Sequence, residues 1–218
     1  MCASYGLTFQ DAYGLDPLDG RESRALLDEW LQRHRGAAKI TGCIAVNLNP
    51  LIVADAASAR TLKLGWWWLW RDSTGPVQFS AFNSRDDKLT RSWAGPLQRR
   101  ALLPASWYVE KKVRFGLPDN GTFAIAAITN TVVDARTGEQ RLSYSMVTRE
   151  ALGEAAATWN RMPLVLPADM HDTWLDPERT GDAQLVSEAQ HASNEISAAM
   201  CRSDDENDDG ESGAPDAS

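Results

Sequence analysis

The 218-residue chain is 43% hydrophobic, enough to bury one sizeable core, and its length suits one domain with a tail better than two domains. Its 30 acidic residues against 22 basic ones exclude a protein that coats nucleic acid through bulk positive charge, while leaving room for a local basic groove. No charged segment leads into an apolar run at the start and no stretch approaches the ~18 apolar residues that span a bilayer, so the reading is a soluble cytoplasmic protein with no membrane partner.

In chain order, Leu26, Leu27, Trp30 and Leu31 recur at helical spacing among charged residues, which predicts a helix over 19–35. The pattern then shortens. Runs rich in β-branched and aromatic residues at 44–53, 65–70, 77–82, 101–109, 122–129 and 141–147, separated by turn-prone Gly, Pro, Asn and Asp, predict strands. Helical signals lie at 89–93, 149–157, 168–175 and 184–200. The mixture predicts an α+β fold, a curved, largely antiparallel β core flanked by helices. Residues 203–218 hold seven acids and no base, which leaves 22 bases against 23 acids in residues 1–202. So polar a segment does not offset its ordering entropy, and the expected division is a domain over 1–202 and a disordered acidic tail over 203–218. The tail reads as a solubilising end or as a shield for a basic cleft.

The second residue carries the most chemistry. Initiator methionine is usually trimmed before a side chain as small as cysteine, which leaves Cys2 with an α-amine and a thiol on adjacent carbons. The amine titrates near pH ~7.7 to 8.0 and an ordinary thiol near ~8.5, so both react near neutral pH. With an aldehyde such a group forms an imine that the thiol closes into a thiazolidine. With an amide it acts as an N-terminal nucleophile whose own amine is the base. Position alone also fits a small residue at a frayed end. The other cysteines, Cys43 and Cys201, show no paired spacing, and no Cys/His cluster has zinc-ligand spacing, so a reducing compartment is expected and neither metal nor organic cofactor. Trp66, Trp67, Trp68 and Trp70 fall within five residues. In a strand, Trp66, Trp68 and Trp70 share one face and Trp67 takes the other, so one face packs the core and the other is free to stack on unpaired bases.

Several segments, taken in order, carry a resemblance: Met1-Cys2; Phe79-Ser-Ala-Phe-Asn83-Ser-Arg85; Arg99-Arg100-Ala-Leu-Leu-Pro104-Ala-Ser-Trp-Tyr-Val-Glu110; Arg161-Met162-Pro163-Leu-Val-Leu; and Trp174-Leu175-Asp176-Pro177. Over roughly residues 2–180 the chain resembles the SRAP family, the SOS response-associated peptidases also called abasic site processing proteins. The resemblance implies that Cys2 cross-links to the ring-opened aldehyde of an abasic site in single-stranded DNA. It implies that Asn83 positions the cysteine terminus and the lesion, that Glu110 shuttles protons, and that Arg85 and Arg161 hold phosphates. It places Thr148 in the pocket wall and Trp66 or Trp67 against DNA. From position alone, Asn83 also reads as a strand-end amide, Arg85 as a solvated surface arginine and Glu110 as a strand-end carboxylate facing water beside Lys111 and Lys112.

The chain departs from the family pattern at Thr158-Trp159-Asn160-Arg161-Met162-Pro163, where the family has His-x-Arg-Met-Pro. Trp159 stands in place of the catalytic histidine, and an indole does no acid–base work near pH 7. The histidines present, His34, His171 and His191, lie on predicted helices. Ala3-Ser4 replaces the usual Gly-Arg after the cysteine, which removes a phosphate contact, and Asn47-Leu48-Asn49-Pro50 stands where Pro-Thr-x-Pro is common. The leading expectation is a monomeric protein, nucleoid-associated when on DNA, that binds single-stranded DNA containing abasic sites and links to it through Cys2. The alternatives are a self-processing cysteine-type peptidase and a non-catalytic module for single-stranded DNA or a protein partner.

Overall fold

The computed structural model describes residues 2–9, 12–43 and 45–203. The expected acidic tail therefore lies, beyond Ser203, outside the described residues.

The chain enters as a short strand, β1 (Ser4–Gly6), followed by α1 (Arg21–His34), which buries Leu27, Trp30 and Leu31 and exposes its charged face. Then come β2 (Ala37–Lys39), β3 (Leu48–Ala54), β4 (Arg60–Trp66), β5 (Trp70–Asp72), β6 (Gly75–Pro76) and β7 (Asn83–Arg85). The single turn α2 (Leu89–Ser92) leads to β8 (Arg100–Ala105), β9 (Trp107–Glu110), β10 (Val113–Gly116), β11 (Phe123–Val133) and β12 (Gln140–Glu150). The chain closes with α3 (Gly153–Thr158), β13 (Arg161–Pro163), β14 (Val165–Leu166), α4 (Ala168–Leu175), α5 (Ala183–Ala198) and β15 (Cys201–Arg202).

Among the described residues one sheet runs β15-β10-β9-β1-β2, a larger one runs β13-β12-β4-β3-β8-β11-β14, and β5 and β6 form a two-stranded ribbon. A further β11–β12 pairing curls the larger sheet back on itself, so that β12, β4, β3, β8 and β11 form a closed ring. Pairing is antiparallel except where β12 meets β4 and β7. This is the curved, largely antiparallel core flanked by helices that the sequence predicts.

Aromatic packing joins the two larger sheets. Tyr5 of β1 shares a 2.7 Å hydroxyl–hydroxyl hydrogen bond with Tyr144 of β12, and Trp67 stacks on Tyr144 with ring centroids 6.1 Å apart. Because β1 is pinned on both edges, with Ser4 opposite Val109 in β9 and Lys39 in β2, the residue before it is delivered to a fixed place. That residue is Ala3, and Cys2 precedes it.

Three expectations about local structure change. The strand predicted over 65–70 ends at Trp66: the Trp68 amide turns back to the Trp66 carbonyl and the Trp70 amide is taken by the Ser143 hydroxyl, so Trp66, Trp67, Trp68 and Trp70 all point into protein rather than alternating. Residues 77–82 form no strand, because their carbonyls serve other donors. The Trp68 indole donates to Val77, the Trp67 indole and the Met146 amide donate to Phe82, and the Leu69 amide donates to Ala81. Arg149 and Glu150, predicted to open a helix, continue β12 against β13, and the helix begins only at Gly153.

Candidate active site

Cys2 is buried, 1% exposed, two residues before β1. Its thiol donates to the Ser4 carbonyl at 3.3 Å, and the Val109 amide of β9 faces the sulfur. Asn83 reaches it from the other sheet: its Nδ2 donates to the Cys2 carbonyl at 2.7 Å. That reach follows from β7 lying parallel to β12, with Asn83 opposite Met146 and Arg85 opposite Thr148. The Asn83 Oδ1 is buried without a hydrogen-bond partner among the described residues, so the amide holds the cysteine with one end and keeps an acceptor for something else. Glu110 ends β9 and is buried, 3% exposed, close enough for its charge to disfavour a thiolate at Cys2. Burial, first, and then Glu110 push the Cys2 thiol up from 9.0 to about 12, against hydrogen bonds that pull it down. The sulfur therefore rests as a neutral thiol. Burial also raises Tyr5, Tyr108 and Tyr144, which surround this end of β1.

The arginines divide into two kinds. Arg85 is exposed, with a bidentate pair to Asp87 at 2.9 Å for each contact; exposed pairs of this kind are weak, and the guanidinium is free to exchange partners with a phosphate. Arg161 is committed. It pairs with buried Asp86 at 2.7 Å and donates to the Thr148 carbonyl, while the second Asp86 oxygen accepts from Gln190 at 2.6 Å. Thr148, itself buried, bonds the Ser84 carbonyl at 3.4 Å. The phosphate contact expected of Arg161 and the pocket-wall place expected of Thr148 are thus taken by a network that locks β7, β12, β13 and α5 together.

Trp66 and Trp67, expected to present a face to DNA, are 3% and 1% exposed. The Trp67 indole donates to the Phe82 carbonyl at 2.8 Å, and the ring is enclosed by Tyr5, Phe82 and Tyr144. Both rings are core, because the bend at 67–69 turns the cluster inward. The exposed aromatics among the described residues lie elsewhere: Phe9 is 57%, Phe79 51% and Trp159 37% exposed.

Beside Asn83 opens a groove of about 420 Å³ lined by Arg71, Phe79, Ser80, Asn83, Arg85, Lys88, Ser92 and Trp93. Three cations and an aromatic pair, Phe79 on Trp93 with centroids 5.9 Å apart, line it without a carboxylate. Arg71, Lys88 and Trp93 escaped the sequence reading because they carry no motif; only the run of Phe79 toward Asn83 pointed to this wall. A cavity of about 400 Å³ against Lys63, Arg99 and Leu142 contains none of the candidate residues. His34 stacks on Trp30 and buried His171 bonds the Leu166 carbonyl, so both are held in their own surroundings. Among the described residues no cluster of His, Cys, Asp and Glu is arranged to hold a metal ion.

Fold and site together define an α+β domain of curved, largely antiparallel sheets that clasps the backbone of its own second residue, a cysteine, with an asparagine lining a cationic groove. Residues 1–204 match the model of the SOS response associated peptidase family, SRAP, and the chain belongs to that family. Its fold is that of three crystal structures of low sequence identity. A Bacteroides thetaiotaomicron protein is 17% identical over 92% of this chain and 90% of its own, with a TM-score of 0.67. A Bordetella bronchiseptica protein is 16% identical over 92% and 98%, with a TM-score of 0.61. A phage-related protein from Bordetella bronchiseptica is 15% identical over 93% and 92%, with a TM-score of 0.55. Among curated proteins none matches the chain.

Proposed function

We propose that the mature chain, with Cys2 at its N-terminus, binds single-stranded DNA containing an abasic site and links to the aldehyde as a thiazolidine. The observation that carries this reading is the clasp: Asn83 fixes the Cys2 carbonyl at 2.7 Å at the edge of a groove that suits a polyanion with unpaired bases, and Glu110 stands by the sulfur.

The chemistry then runs in a defined order. While Met1 is attached the Cys2 nitrogen is an amide, so its removal creates the nucleophile. The amine attacks the aldehyde carbon, forming the C–N bond and a carbinolamine. Glu110 takes the proton that the amine nitrogen sheds and returns it to the hydroxyl, which leaves as water and gives the imine. The thiol adds to the imine carbon, its proton passing to the nitrogen as the C–S bond closes the ring. A sulfur held neutral suits this sequence, because amine attack comes first and the thiol enters with its proton. Aldehyde and aminothiol give thiazolidine and one water, with no cofactor. The acid–base steps fall to Glu110 and solvent, since an indole stands at the family histidine's place.

The test is a denaturing gel of single-stranded DNA with one abasic site. A slow band that requires both the aldehyde and Cys2 supports the reading; none with Cys2→Ser, and none when the aldehyde is first reduced, is expected. A band that forms equally on intact DNA refutes it.

A further inference from the structure

The hairpin joining β9 to β10 pairs Glu110 with Val113, so Lys111 and Lys112 are the two central residues of its turn. Both have positive φ, 51° and 67°. A two-residue turn of this twist is ordinarily made by Asn-Gly or Asp-Gly, because a side chain in the left-handed region meets its own backbone. Two lysines in succession break that rule, and locally unfavourable backbone of this kind collects where a side chain is needed for something other than folding. The Lys111 ammonium lies 4.0 Å from the ring centroid of Trp159, well inside cation–π range. Trp159, just past the end of α3, is itself out of place, a large aromatic left 37% exposed. Each irregularity accounts for the other only as a pair: the indole is a platform, and the strained turn sets the ammonium on it. Lys111 follows Glu110 directly and stands two residues from Val109, whose amide faces the Cys2 sulfur.

We propose that Lys111, seated on Trp159, is the fixed cation that receives a backbone phosphate of the single strand beside the abasic sugar. Trp159 is the positioning residue for that contact. This rests on the abasic-site reading and adds a subsite to it: where the family pattern has a histidine, this chain has an aromatic floor and brings the charge to it from the opposing hairpin. The contact is electrostatic, an N–H donated to a phosphate oxygen, and moves no proton in the reaction.

The test is fluorescence anisotropy of a labelled single-stranded oligonucleotide carrying one tetrahydrofuran site, which mimics the lesion without an aldehyde and so isolates binding from linkage. Affinity is measured against salt for the wild type, Lys111→Ala, Lys111→Gly, Lys111→Arg, Trp159→Ala and Lys112→Ala. Loss of one charge-assisted contact weakens binding by about tenfold or more at low salt. It also reduces the slope of log affinity against log salt by about 0.7, the value of one phosphate contact on a single strand. Lys111→Ala and Lys111→Gly give both changes, Lys111→Arg restores both, and Trp159→Ala gives an intermediate loss. Lys112→Ala, equal in charge and not on the ring, gives less. Lys111→Gly also raises the thermal midpoint, because glycine accepts the left-handed backbone, and a gain in stability with a loss of binding is a result that no structural role produces. The proposal is overturned if Lys111→Gly keeps the wild-type affinity and salt slope, or if Lys112→Ala loses as much as Lys111→Ala. Wild-type protein that does not bind the oligonucleotide at all overturns the abasic-site reading, and this subsite with it.

Discussion

Replacing Asn83 by alanine isolates the clasp. The variant removes the 2.7 Å bond from Nδ2 and leaves the carbonyl of a residue that is 1% exposed without its side-chain donor. A buried acceptor stranded in this way costs about 1 to 3 kcal/mol. If that energy is what holds the cysteine backbone in its reactive pose, the linkage rate falls by roughly 5- to 150-fold, at ~1.4 kcal/mol for each factor of ten. The same loss lowers the thermal midpoint by about 2 to 12 °C for a chain of this size, so rates are compared well below the variant's transition. Single-turnover adduct formation on an abasic oligonucleotide, with protein in excess, reads the rate directly. Asn83→Asp is the sharper companion: it keeps the shape and has no N–H to give, so it fails as badly as alanine. Wild-type linkage rates in either variant refute the reasoning, because the amide would then be a bystander.

Three further outcomes follow from the same geometry. Phe79→Ala, at a side chain 51% exposed in the cationic groove, weakens binding of single-stranded DNA by about 1 to 3 kcal/mol in a filter or anisotropy assay and barely moves the thermal midpoint. Arg161→Ala leaves buried Asp86 with the Gln190 amide but without its cation and destabilises the fold by about 3 to 5 kcal/mol in denaturant titration; a variant of normal stability but altered salt slope contradicts its place in the network. Burial raises the Cys2 thiol from 9.0 to about 12, so the unfolded chain releases this proton first as pH rises. The thiol's contribution to stability is whole below pH 9 and is lost as pH climbs through 12. Thermal midpoints measured from pH 8 to 11 therefore fall less steeply in Cys2→Ser than in wild type.

Periodic segments were readable in the sequence and long-range commitments were not. The apolar spacing at 168–175 gives α4 at Ala168–Leu175, because a helix is specified by its own residues. Residues 77–82 look like a strand by composition, yet two indoles from 67–68 take their carbonyls, a competition that no local pattern contains. The family resemblance implies a phosphate ligand at Arg161, while its partner in the structure, Asp86, lies 75 positions earlier in the chain. The tryptophan cluster is two-faced only in an unbroken strand, and the bend after Trp66 removes that alternation. Cys2 was legible as chemistry from its position and type, whereas the reach of Asn83 came through the family resemblance, since 81 residues separate the two. The seating of Lys111 on Trp159 joins two segments that carry no mutual signal.

The most direct test of the central claim is the intact mass of the protein after incubation with single-stranded DNA bearing one abasic site, for wild type and Cys2→Ser. The account predicts a wild-type species equal to the chain without Met1 plus the DNA minus one water, and no such species for Cys2→Ser. An adduct that survives Cys2→Ser, or protein that has lost Met1 and remains unlinked, contradicts it.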